Sequence, residues 1–186
     1  MQLLKNIKNN WTLFLDRDGV INYEKENSYI FNWEEFRFYP EVKEALKILQ
    51  QYFATIVVVT NQRGIGKQLM SEGDLQNIHQ NMVQEIQNAG GRIDKIYFCS
   101  DLENTSPCRK PNTGMALQAK KDFPAMDFTK SIMVGNKLSD MQFGKNAGMH
   151  TVFVATTHPQ TPYPHATIDA RFKNLLEFAL AIQHAK

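Results

Sequence analysis

The run ATIVVVT, Ala54 to Thr60, constrains this chain more than any other stretch. β-Branched residues crowd it and no charge interrupts it, so it reads as a strand covered on both faces. Around it, short apolar runs alternate with helix-like stretches. Thr12–Asp16, Asp94–Cys99, Ser131–Val134 and Thr151–Val154 read as further strands. Pro40–Gln51 reads as a helix with proline at an early position. Ser71–Ala89 reads as a helix capped by Ser71-Glu72-Gly73-Asp74 and ended by Gly90-Gly91. Thr113–Phe123, Ser139–Ala147 and a C-terminal stretch near Phe172–Gln183 complete the helices. Strand-helix alternation predicts a three-layer α/β architecture with a mainly parallel sheet.

The chain has 186 residues, about the size of one ordinary domain, and the reading is a single domain over 1–186. No loop has room for a large cap domain. Hydrophobic residues make up 42% and charged residues 22%, the balance of a soluble globular protein. A net charge of +2 is too small to argue for nucleic acid or an anionic membrane. The beginning, MQLLKNIKNN, lacks the long apolar run of a signal peptide, and no apolar segment approaches the roughly 20 residues of a membrane span. The expectation is a cytoplasmic, monomeric protein that acts on a small molecule.

Ligands of such sheets bind beyond the carboxyl ends of the strands. The segments leaving those ends are DRDGVIN, TNQRGIGK, CSDLENTSPCRKP and GNKLSD, and they hold nearly every unusual polar residue of the chain. Asp16 and Asp18 follow the first strand with one residue between them. Two carboxylates about 4 Å apart repel by roughly 4 kcal/mol at an effective dielectric near 20, a cost that a divalent cation offsets. Gly19 lets the chain turn sharply just after them. The competing reading is an Asp-rich loop that merely caps the strand. Thr60 offers a hydroxyl to a phosphate oxygen, and Asn61, Gln62 and Arg63 follow it. Lys110 brings a cation close to a helix start, where anions are favoured. Asp140 either caps its helix or reaches the cation.

DRDGVIN, TNQRGIGK, CRKPNTGM and VGNKLSD, in this order, resemble the haloacid dehalogenase (HAD) superfamily, and within it the histidinol-phosphate and heptose-bisphosphate phosphatase group. The resemblance runs from about residue 11 to 155. It implies a Rossmann-like HAD fold and a magnesium-dependent phosphatase with Asp16 as nucleophile and Asp18 as general acid and base. It gives Thr60, Asn61 and Lys110 to the phosphate, and Arg63 and Arg109 to the rest of a small phosphorylated metabolite. Asp16, Asp18 through its main-chain carbonyl, Asn136 and Asp140 become the metal set. The group usually has aspartate where this chain has Asn136, so weaker magnesium affinity is expected. Heptose 1,7-bisphosphate is the leading substrate, and histidinol phosphate and a non-catalytic phosphate binder are the alternatives.

Relatives in this group carry a cysteine-rich zinc loop before RKP. Here only Cys99 and Cys108 remain, beside Asp101 and Ser106, a poor zinc set. Two ordinary reduced cysteines are expected instead. His79, His150, His158 and His165 lack metal-ligand spacing and read as packed or solvated. Tyr29, Phe31, Trp33, Phe36 and Phe38 read as packing for the loop after the first strand, with a place bordering the substrate as the alternative.

Overall fold

The computed structural model describes residues 2–186. Its strands are β1 (Trp11–Leu15), β2 (Phe53–Asn61), β3 (Lys95–Cys99), β4 (Ser131–Gly135), β5 (His150–Val154) and β6 (Ala170–Phe172). They form one sheet in the order β3-β2-β1-β4-β5-β6. Every neighbouring pair is parallel, from Leu13 opposite Ile56 in the centre to Phe153 opposite Arg171 at the edge.

The helices are α1 (Gln2–Asn6), α2 (Val42–Leu49), α3 (Arg63–Gly66), α4 (Glu72–Asn88), α5 (Gly114–Asp122), α6 (Leu138–Asn146) and α7 (Leu175–His184). Strand alternation sends the side chains of β1 to two cores. Leu13 and Leu15 pack with residues of α2, α4 and α7, and Phe14 packs with Met115, Ala116, Ala119 and Phe143 of α5 and α6. Val57, Val58 and Val59 are fully buried between these layers, and each such burial stabilises by about 1.5–3 kcal/mol. A charge in that run would forfeit this gain and add a desolvation cost, which is why the run reads so clearly.

Helix α4 begins where its sequence directs. Ser71 Oγ accepts from Asp74 N at 3.1 Å, and Asp74 Oδ2 accepts from Ser71 N at 2.8 Å, closing the capping box. Leu75, Ile78, His79, Met82 and Ile86 form its buried stripe.

The chain builds β1, β2 and β3 toward one edge, then crosses to β4, β5 and β6 on the other side of β1. The switch point therefore lies between β1 and β4, and the loops leaving their carboxyl ends diverge around a crevice. Among the described residues no connection forms a second sheet or a cap over it. Among the described residues, no helix is long and apolar enough to cross a membrane. The structure adds α1, the short α3 and the edge strand β6 to the elements expected, and α7 starts at Leu175 rather than near Phe172. Three strand residues are too few for periodicity to announce β6.

Candidate active site

Asp16, Thr60, Lys110 and Asp140 all line one open cleft of about 910 Å³ above the strand ends. Asp16 follows β1, Thr60 lies near the end of β2, and Asp140 sits in the first turn of α6 after β4. Lys110 arrives on the loop before α5 and is as buried as the carboxylates it meets. Its Nζ lies 2.8 Å from Asp16 Oδ1 and 2.7 Å from Asp140 Oδ1. Burial works against its charge, but the two aspartates outweigh it and raise its proton affinity above that of an ordinary lysine. Gly135 makes the close approach of α6 possible, because a Cβ there would stand 2.2 Å from Asp140 Cβ.

Burial and the neighbouring charge of Asp140 push Asp16 up to about 7, against the pull of Lys110. Asp18 behaves in the opposite way. Burial alone would raise it, yet the Arg17 guanidinium and hydrogen bonds from Asn22, Arg17 and Gln62 hold it below the usual carboxylate range. Arg17 donates to Asp18 from Nη2 at 2.9 Å, and Asn22 Nδ2 and Gln62 Nε2 each donate at 2.9 Å. Two carboxylates two positions apart thus have unlike proton affinities. Asp18 is held ionised, the state in which a carboxylate takes up a proton as a base, and Asp16 rests against the Lys110 ammonium.

Gln62 Nε2 also donates to Thr60 Oγ1 at 2.8 Å, which leaves the hydroxyl proton of Thr60 free to point at a ligand. Asn61 lines the cleft, but its carboxamide is engaged at both ends by the Lys110 peptide. Arg63 and Arg109 also line the cleft, joined through Asn104, whose Oδ1 accepts from Arg63 Nη2 at 2.7 Å and from Arg109 Nε at 3.3 Å. Burial and the nearby charge of Arg63 lower the proton affinity of Arg109. Among the described residues no carboxylate side chain is bonded to either guanidinium, and two adjacent guanidinium groups so placed can receive an anion.

The metal set divides. Asn136 lies fully buried beneath the cleft. One end of its carboxamide is 2.7 Å from Thr157 Oγ1, and the other is 3.3 Å from Asp16 Oδ2 and 3.2 Å from the main-chain oxygen of Asp18. With the amide nitrogen toward Thr157, three oxygens converge with no proton between them. Adjacent oxygens around octahedral magnesium are about 3.0 Å apart, so this cluster fits that ion. With the amide reversed, nitrogen donates to both oxygens and needs no cation. Asp140 lies one step away, its carboxylate taken by Lys110 Nζ and by Lys137 N at 3.1 Å. Gly19, at φ +89°, is indispensable here, since a Cβ would fall 2.0 Å from the Asn136 carboxamide.

The cysteines correct an expectation. Cys99 and Cys108 form a disulfide with Cα atoms 5.6 Å apart, and neither is a free thiol. The loop between them folds back on itself, with Ser106 N bonded to Glu103 O and Arg109 N to Ser106 O. Asp101 lies against the pair, its carboxylate oxygen and the two sulfurs all within 4.8 Å of one another, a grouping that could hold a metal ion once the bond is reduced to thiolates.

Four residues important to this geometry had no role assigned from sequence: Arg17, Asn22, Gln62 and His79. The first three sit inside DRDGVIN and TNQ, where an arginine enclosed by two aspartates was itself the clue. His79 falls on the apolar stripe of α4, and its Nε2 is 3.2 Å from Arg17 Nη1. Burial and the Arg17 charge lower its pKa to about 3, so it is neutral. His150 stacks on Trp11 with ring centroids 5.5 Å apart, and His158 lies at the cleft with Nδ1 2.8 Å from Thr157 Oγ1. Of the aromatic group, Trp33, Phe36 and Phe38 pack together as expected, while Tyr29 reaches the cleft.

Residues 12–177 match the model of the family described as polynucleotide kinase 3 phosphatase. The chain is 37% identical to a D-glycero-alpha-D-manno-heptose-1,7-bisphosphate 7-phosphatase of Mycobacterium bovis, over 95% of this chain and 93% of that one. It is 33% identical to a D-glycero-beta-D-manno-heptose-1,7-bisphosphate 7-phosphatase of Yersinia pestis, over 92% and 94%. The crystal structure of D,D-heptose 1,7-bisphosphate phosphatase from B. bronchiseptica, complexed with magnesium and phosphate, superposes with a TM-score of 0.83. That likeness covers 95% of this chain and 99% of the other at 27% identity.

Proposed function

Because the chain belongs to the polynucleotide kinase 3 phosphatase family of HAD-like phosphatases, we propose that it is a magnesium-dependent phosphomonoester hydrolase that removes the 7-phosphate of a heptose 1,7-bisphosphate. The observation that carries this reading is the meeting of Asp16, Thr60, Lys110 and Asp140 in one cleft, with Asp18 beside them.

Asp16 attacks phosphorus and forms an aspartyl-phosphate, which divides one difficult displacement into two. Its Oδ1 rests on Lys110 in the free site, and incoming phosphoryl oxygens take over that ammonium. The Thr60 hydroxyl donates to another of them, so both groups meet charge that spreads in the transition state. Asp18 protonates the leaving oxygen, and the phosphoryl charge arriving beside it raises its proton affinity for that step. It then takes a proton from the water that opens the intermediate. Asp16, the carbonyl of Asp18 and Asn136 would hold magnesium, with Asp140 supplying charge through Lys110. When bound, the ion neutralises phosphoryl charge.

Arg63 and Arg109 favour a substrate with a second anion over one with a cationic amine, so the sugar bisphosphate suits the cleft better than histidinol phosphate. The deciding experiment compares magnesium-dependent phosphate release from heptose 1,7-bisphosphate, histidinol phosphate and an aryl phosphate. The bisphosphate is expected to have the highest kcat/KM. Preference for histidinol phosphate would reverse the substrate assignment, and no release from any ester would leave a phosphate-binding protein.

A further inference from the structure

We propose that His79 is a positioning residue for proton transfer: it fixes the Arg17 guanidinium, which in turn fixes the carboxylate of Asp18. The inference rests on the phosphatase reading and concerns a residue to which that reading gives no task.

Arg17 is the largest fully buried side chain among the described residues. Its Nε and Nη2 face Asp18 at 3.2 Å and 2.9 Å, and its Nη1 faces His79 Nε2 at 3.2 Å. A guanidinium has no lone pair, so Nε2 must accept and the imidazole proton sits on Nδ1. The fork is held at both ends, by a carboxylate of the cleft and by a ring anchored in α4. Leu75, Ile78, Met82 and Ile86 make the rest of that helix face aliphatic. An imidazole there costs desolvation that an aliphatic residue would avoid, so its acceptor has a use. Without it, Nη1 is an unpaired buried donor, the fork loses one anchor, and Asp18 loses its fixed aim at the leaving oxygen.

Two variants separate positioning from packing. His79→Gln keeps an acceptor, and His79→Phe fills the space without one. Each is assayed on the sugar bisphosphate, whose alkoxide leaves only with a proton, and on nitrophenyl phosphate, whose phenolate leaves without help. The readout is kcat/KM, which includes leaving-group departure. We expect His79→Phe to lose about tenfold or more on the alkyl ester and less than about threefold on the aryl ester, with His79→Gln restoring the alkyl rate. His79→Leu carries the same expectation where the larger ring does not fold.

Equal losses on the two esters, a folded His79→Phe with no loss, or a His79→Gln as impaired as His79→Phe would each overturn the proposal. So would apolar variants that both fail to fold while His79→Gln behaves as wild type, since that marks the acceptor as a requirement of folding and not of proton transfer. A wild-type protein inert toward both esters would instead remove the phosphatase reading, and the role of His79 with it.

Discussion

Asn61 clasps the peptide of Lys110 from both sides, its Oδ1 accepting from Lys110 N at 3.1 Å and its Nδ2 donating to Lys110 O at 3.2 Å. The end of β2 thereby holds the loop that delivers the ammonium to Asp16. Asn61→Leu removes both bonds and leaves two peptide groups short of partners, a loss of about 1–3 kcal/mol. Because that energy aligns Lys110, kcat/KM should fall roughly 10- to 100-fold, with a smaller change in thermal stability. Steady-state kinetics beside a melting curve checks this, and unchanged kcat/KM would mean that Lys110 is placed without Asn61.

Asn136 makes the metal-free site tolerable, because its amide can donate to the two oxygens that a cation would join. Asn136→Asp adds a charge to a buried cluster that already holds Asp16 and Asp140. Metal-free protein should lose about 1–2 kcal/mol, or roughly 2–8 °C in Tm, while magnesium affinity rises about tenfold. Calorimetric titration with magnesium and melting in chelator measure the two effects separately. An unchanged affinity would show that position 136 is not a ligand.

His79 gives the fold a pH dependence of known sign. Its pKa falls from 6.5 to about 3 on folding, through burial and then the Arg17 charge. The unfolded chain takes up this proton below about 6.5 and the folded chain does not. Stability therefore declines as pH drops from 6.5 toward 3, by at most roughly 5 kcal/mol from this residue. Urea unfolding across that range should show a shallower decline for His79→Gln than for wild type. Parallel curves would contradict the buried, neutral state of the ring.

The disulfide closes a loop across a sequence separation of 9 between β3 and the Arg109-Lys110 pair. Loop-closure entropy makes it worth roughly 2–3 kcal/mol. Cys108→Ser should lose about that much in denaturant unfolding, and dithiothreitol should bring wild type to the level of the variant. Wild-type stability that is indifferent to reductant would remove the bond from the account.

Strands β1 to β5 were legible because burial on both faces leaves a plain signature, as in Val57–Val59, whereas the three residues of β6 were too few to read. The capping box of Ser71 and Asp74 was legible because it is local. Helix α3 hid in RGIG, where two glycines conceal a single turn set by the loop around it. The roles of Arg17 and His79 were not legible, since their partnership spans 62 positions and exists only once α4 packs on the sheet. The disulfide depended likewise on how the loop from Ser100 to Pro107 folds back, which spacing alone does not fix.

The central claim is that Asp16 becomes phosphorylated during turnover. Quenching the enzyme with magnesium and heptose bisphosphate in mid-reaction, then reducing with borohydride, converts an acyl phosphate to an alcohol. Peptide mass spectrometry should find homoserine at position 16, and Asp16→Asn should show neither that residue nor phosphate release. Phosphate release by wild type with position 16 unmodified and the alcohol at another carboxylate, or normal turnover by Asp16→Asn, would contradict the account.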